Sequence, residues 1–266
     1  MAEVDDRADP TLDEALLPQD LPLSQWLTVA RRACRGVVAG ACASALAAAL
    51  AGPAAGQGPP ASSASDLTGG FSVARLKYTG GGDWYSDETS LKNLLSAVKA
   101  RGDIRVSQQK EAVVTATDPD LWNYPLLFVT GHGNVKLNDQ EVASLRRYLD
   151  QGGMLWGDDN FGMDKSFREA MQRVYPESPL VELPFNHEIF RRPNPFPSGA
   201  PKVHEHDGGP ARVFAIMRGG RMVVLYTFDT DIGNGIEDAG IYDDPQAKRD
   251  AAMRFAINIA TYAVSH

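Results

Sequence analysis

Residues 126–130, Leu-Leu-Phe-Val-Thr, are apolar at every position up to the closing threonine, and this uniformity limits what the chain can fold into. A strand with one wet face alternates apolar and polar side chains, whereas a strand covered on both faces does not. The run is too short for a buried helix, and it stops at Gly131-His132-Gly133. It reads as the central strand of a parallel sheet with helices on both sides.

The same construction recurs along the chain. Residues 71–78 read as a first strand. Leu91, Leu94, Leu95 and Val98 follow at helical spacing, in a helix opened by Ser86 or Asp87 and closed near Gly102. Residues 104–106 read as a second strand. After the central strand, Asn138 and Glu141 form a capping box, with Val142, Leu145 and Leu149 on the inner face of the helix and Gly152-Gly153 past its end. Residues 154–157 are another buried strand, ending at Asp158-Asp159-Asn160. A helix over 165–174 leads to a strand at 180–183 and a proline-bearing excursion through Pro201. Residues 211–217 and 221–228 flank Gly219-Gly220, a hairpin signal, and Ala252, Phe255, Ile259 and Tyr262 stripe a final helix.

From Ala30 the chain runs through Arg31, Arg32 and Arg35 into an Ala/Val/Leu/Gly stretch and then small residues and proline, the order of a secretory signal. Residues 1–56 are expected to be an N-terminal extension and signal peptide, 57–70 a flexible linker, and 71–266 a single α/β domain. The expected location is exported, periplasmic or extracellular. Paired arginines before a weakly hydrophobic run fit the twin-arginine route as well as the general one. An uncleaved anchor over residues 37–55 is the competing reading, but its alanines and glycines make a feeble span, so no membrane span is expected after cleavage. Both cysteines, Cys34 and Cys42, fall in the leader, which leaves the domain without a disulfide, a thiol nucleophile or a thiolate metal site. A formal charge of −8 gives no general reason to expect nucleic acid as a partner.

Three stretches carry a family resemblance: LKYTGGGDWYSDETSLKNLL, YPLLFVTGHGNVKLNDQEVASLRRYLDQGGMLWGDD and the later HEIF, running with the hairpin and last helix over residues 71–264. The chain resembles the bacterial domain of unknown function 4159, within the class I glutamine-amidotransferase-like assemblage. The resemblance implies a three-layer, flavodoxin-like α/β fold, mostly parallel with a C-terminal hairpin and helix, and no established activity. Amidotransferases of that fold place a cysteine on a strand-to-helix elbow. Here the elbow is Thr130-Gly131-His132-Gly133, so cysteine-dependent glutamine hydrolysis is excluded, and no Gly-x-Ser-x-Gly elbow replaces it.

Ligands of open α/β sheets sit beyond the carboxyl ends of the strands, where this chain concentrates its polar residues. His132, Asp158 and Asp159 are the expected catalytic residues, with His132 as general base or metal ligand, or more plainly as a turn residue capping the next helix. Adjacent acids on a strand point to opposite sides, so only one of Asp158 and Asp159 is expected to face a cleft. His132, Asp159 and His187 are the expected ligands of a divalent metal such as zinc, without an HExxH-type spacing to support them. A surface loop accounts equally well for His187.

Gly81, Gly82, Asp83, Trp84 and Asn160 are the expected ligand contacts, the glycines through backbone amides ahead of a helix and Trp84 by stacking on a sugar. A glycine turn that lets Trp84 and Tyr85 pack over the sheet edge explains the same residues. His204, Glu205, His206 and Asp207 form a second polar cluster, for which a solvated loop is preferred over incidental metal binding. Together these features predict an exported domain that binds a small polar ligand, such as a carbohydrate, with metal-assisted hydrolysis as the reaction. The alternative is a non-catalytic envelope interaction or scaffold domain with a protein partner.

Overall fold

The computed structural model describes residues 70–266 except Asp207, and these fall in one compact unit. The expected signal peptide and most of the expected linker lie outside the described residues. Seven strands form one sheet: β1 (Val73–Leu76), β2 (Ala112–Val114), β3 (Leu126–Val129), β4 (Met154–Asp158), β5 (Val181–Glu182), β6 (Arg212–Arg218) and β7 (Arg221–Phe228). Their order is β2-β1-β3-β4-β7-β6-β5. The first five in that order run parallel, while β6 turns back on β7 and β5 pairs antiparallel with β6.

The all-apolar run forms β3, buried at every position between β1 and β4, and Phe128 meets Trp156 edge-on with ring centroids 4.7 Å apart. Helices α1 (Ser90–Arg101), α2 (Asp139–Asp150), α3 (Asp164–Val174), α4 (Ile232–Gly235) and α5 (Gln246–Ser265) complete the fold. Two separate apolar clusters lie on the two faces of the sheet. One joins Val73, Phe128 and Trp156 to α1 and α5, and the other joins Leu127, Val129 and Leu155 to α2 and α3. The alternation of side chains along each strand produces this division.

The capping box of α2 is present in both halves: Glu141 N donates to Asn138 Oδ1 at 3.0 Å, and Asn138 N to Glu141 Oε2 at 2.7 Å. Two local expectations fail. The strand expected at 104–106 is reduced to one bridge between Val106 and Phe71, and β2 forms at Ala112–Val114 instead. Both are edge segments covered only in part, with Arg105 and Val113 exposed, where apolar patterning discriminates poorly. Helix α1 begins at Ser90 rather than Ser86 or Asp87, because Asp87 sits at φ 59° and turns its carboxylate into the sheet edge. Among the described residues, no helix is long and apolar enough to cross a membrane.

Candidate functional site at the carboxyl edge of the sheet

The carboxyl ends of β1, β3, β4 and β7 deliver a group of buried carboxylates. Asp158, the last residue of β4, is fully buried. It accepts hydrogen bonds from Thr227 Oγ1, from Thr230 Oγ1 at 3.1 Å and from the amide of Gly233 at 2.6 Å. Asp87 accepts from Thr130 Oγ1 at 2.7 Å and from Asn160 Nδ2 at 2.9 and 3.0 Å. Gly233 packs against both carboxylates, and a Cβ there would collide with Asp87 and come within 3.1 Å of Asp158 Oδ2. Burial pushes Asp158 up to about 8 and Asp87 up to about 6, despite these donors, and the charges of Asp87 and Asp231 raise Asp158 further.

Beyond β7, Asp231 occupies the left-handed region at φ 53° with its side chain wholly buried. The loop before β6 is tied to this strand end by Val203 N donating to Thr230 O at 2.8 Å. That tie brings two histidines onto one carboxylate oxygen: His206 Nε2 lies 2.5 Å and His204 Nδ1 3.0 Å from Asp231 Oδ2. One ligand atom from each of the three residues falls within 4.8 Å of the others. Among the described residues, the second carboxylate oxygen of Asp231 is buried with no hydrogen-bond partner. On its far side, His204 Nε2 lies 3.0 Å from Asp244 Oδ1. A carboxylate on the outer nitrogen favours the tautomer protonated there and leaves Nδ1 unprotonated, facing Asp231 and 3.2 Å from the Asn234 side-chain amide.

Aromatic rings cover both histidines. Phe161, at φ 76°, stacks on His206 with centroids 4.8 Å apart, and Tyr242 meets His204 edge-on at 5.3 Å. Burial drives the Tyr242 phenol up to about 12, with the charges of Asp87, Glu237, Asp231 and Asp83 adding to it. One phenol therefore senses carboxylates from the ends of both β1 and β7.

His132 stands at the β1 and β3 side of this edge. Its Nδ1 lies 2.9 Å from Asp83 Oδ2, and its amide donates to Asp83 Oδ1. The ring is 54% exposed. Burial raises Asp83 somewhat, but the hydrogen bonds from His132 outweigh it and hold the carboxyl below the usual range. Asp159 lies on the α3 side, away from its neighbour Asp158, and accepts from Met163 N at 3.1 Å. Burial, with the charges of Asp164 and Asp231, pushes it up to about 6.

His187 does not join the others. Its Nδ1 accepts from the Ile189 amide at 3.3 Å, capping the short helical turn Glu188–Phe190, and its ring sits 6.1 Å from that of Tyr262 in the last turns of α5. The Tyr262 hydroxyl accepts from Met222 N, at the start of β7 and away from the end that carries Asp231. The expected trio of His132, Asp159 and His187 is thus corrected. β5 has only two residues and pairs with an antiparallel strand, so the polar segment after it turns onto α5.

The expected ligand contacts also have other work. Gly82 N donates to Asn134 O at 3.3 Å, and α1 begins only at Ser90, so the glycine turn does not lead into a helix N-terminus. Gly81 faces open space at φ 90°. Trp84 packs edge-on to Tyr85 and lies under Lys77 Nζ at 5.4 Å, and the Asn160 amide is engaged by Asp87. The residues given least weight in the sequence, His204 and His206, are the ones brought together. Their i, i+2 spacing is visible, and Asp231 stands just beyond a strand legible in the sequence, but Asp244 comes from another segment and nothing local links the four.

One family model matches the chain, over residues 72–264, and its description is Domain of unknown function (DUF4159). No curated protein matches the chain at a significant level.

Proposed function

Because the chain belongs to the DUF4159 family, whose description names no reaction, we propose from the site alone that the domain holds a first-row divalent metal on His204, His206 and Asp231 and uses it to bind and hydrolyse a small polar ligand. The observation that carries this is the convergence of three ligand atoms within 4.8 Å at the carboxyl edge. Two imidazoles and one carboxylate are the donor set of zinc, manganese or iron(II), and three protein ligands leave positions open for water and substrate. The orphaned oxygen of Asp231 and the Asp244 carboxylate behind His204 support the same reading.

A metal held by these three residues would polarise a bound oxygen and lower the pKa of water. His132, held at Nδ1 by Asp83, presents Nε2 as the proton-transfer atom at the same edge. The strand order, with β7 taking fifth place after β2-β1-β3-β4, supports a flavodoxin-like architecture and with it the amidotransferase-like assemblage. The arginine-led apolar run before residue 56 supports export, so the domain acts in the envelope or outside the cell. Elemental analysis of the purified full chain tests the central reading. One equivalent of zinc, manganese or iron per chain is expected after reconstitution. Less than a tenth of an equivalent rejects the metal centre and favours the scaffold role.

A further inference from the structure

Beside His206 a cavity of about 190 Å³ opens between the rings of Phe161 and Phe228, with the carboxylates of Asp159, Asp164 and Asp229 in its wall. Two of these acids have cations of their own: Asp164 pairs with Arg168 at 2.7 Å and Asp229 with Lys202 at 2.7 Å. Asp159 differs. It is 3% exposed, takes a hydrogen bond from the amide of Met163, and has no ionic partner among the described residues. A carboxylate withdrawn from water without a counter-ion is unfavourable, and aromatic faces attract cations. Arg168 already lies over the Phe228 ring, 5.8 Å from its centroid, so the uncompensated charge of the wall is that of Asp159, beside the ring of Phe161, and it favours a cation over an anion.

Phe161 strengthens the case. A bulky residue in the left-handed region is energetically unfavourable, and such positions gather at ligand clamps. Here the ring is held at the cavity mouth, 53% exposed, with one face committed to His206. The size is also informative. A cavity of roughly 150 Å³ admits benzene, so this one, of about 190 Å³, has room for a small alkylammonium group.

We propose that this cavity captures the ammonium group of an amine-bearing ligand, while the ligand's reacting group lies on the metal site across the His206 ring. The inference rests on the metal-site reading for the position of the reacting group, but amine capture is measurable apart from metal.

Propylammonium, propanol and propionate are probes of matched size and different charge, titrated against the full chain at pH 7.5 by ligand-detected NMR. The amine is expected to bind about 10-fold more tightly than the alcohol, with propionate weakest. Asp159→Asn should reduce the amine to the affinity of the alcohol. Phe161→Ala, which removes an exposed ring without opening the core, should weaken the amine by about 3-fold or more and decides the matter if Asp159→Asn fails to fold. Alcohol or propionate binding as tightly as the amine, or no saturable amine binding, overturns the proposal. So does an undiminished amine preference in the folded Asp159→Asn variant or in Phe161→Ala. Metal measured on the same samples separates the two readings: metal without amine preference rejects the amine pocket alone, and amine preference without metal rejects the metal centre alone.

Discussion

Two loops bring histidine to the carboxyl edge of this sheet, and they treat it differently. In the loop after β3, His132 leans on Asp83, a partly exposed carboxylate whose other oxygen is already engaged by the His132 backbone. In the loop before β6, His204 and His206 converge on Asp231, whose side chain has no exposure at all and whose second oxygen has no donor among the described residues. A carboxylate in water is satisfied by solvent, whereas a buried one with a spare oxygen still needs a charge. This contrast is the ground on which proton handling is proposed for the first pair and cation holding for the second group.

The largest effect should come from removing single histidines. His206→Ala or His204→Ala should lower bound metal from about one equivalent to under a tenth, because two protein ligands do not retain a first-row ion through dialysis. His132→Ala and His187→Ala should leave metal content unchanged. Asp244→Asn should fall between, weakening metal about 10–100-fold through the orientation of His204. Metal retained in His206→Ala and lost in His132→Ala would invert the comparison.

A second effect, of several degrees, concerns the metal-free protein. Asp158 and Asp87 have folded-state pKa values of about 8 and about 6, well above the ordinary carboxylate value. Folding then favours their protonated forms. Between the ordinary value and the raised one the folded chain binds more protons than the unfolded chain, so stability falls as pH rises through this window. With a chelator present, Tm should drop by about 5 °C or more from pH 5 to pH 8.5, and Asp158→Asn should flatten the slope. A Tm that rises over the same interval would show that these carboxylates are charged at little cost in the folded chain, against the raised values given to them by burial.

How much of this was legible in the sequence follows from the range of each interaction. The buried run at β3, the Asn138–Glu141 box and the Gly219-Gly220 hairpin are local features, and each appears as read. The concentration of acids at strand ends was legible too, since parallel strands share an edge. The sequence context of Ser86 and Asp87 is that of a helix cap, yet the left-handed backbone of Asp87 points its carboxylate toward Thr130 and Asn160. His187 belongs to the edge only if the strand before it runs parallel with the others, and β5 instead pairs antiparallel with β6. The His204, His206 and Asp231 group depends on a single backbone tie, Val203 to Thr230, which no periodicity announces.

The smallest expected effect sharpens the comparison from the other side. His132 is half in solvent, and its contact with Asp83 is a surface pair, a class worth about 0–1 kcal/mol and reduced by salt. Truncation to alanine keeps the backbone amide that donates to Asp83, so only the ring contact is lost. His132→Ala should therefore cost less than about 1 kcal/mol in urea denaturation, and the difference should shrink further in 0.5 M salt. Asp83→Ala removes the acceptor of both contacts and should cost more, about 1–2 kcal/mol, because the amide of a tight glycine-flanked turn loses its partner. A loss above about 3 kcal/mol for His132→Ala would exceed any surface pair. It would make this histidine a structural clamp on the Gly131–Gly133 turn, and proton handling at this edge would have to pass to another group.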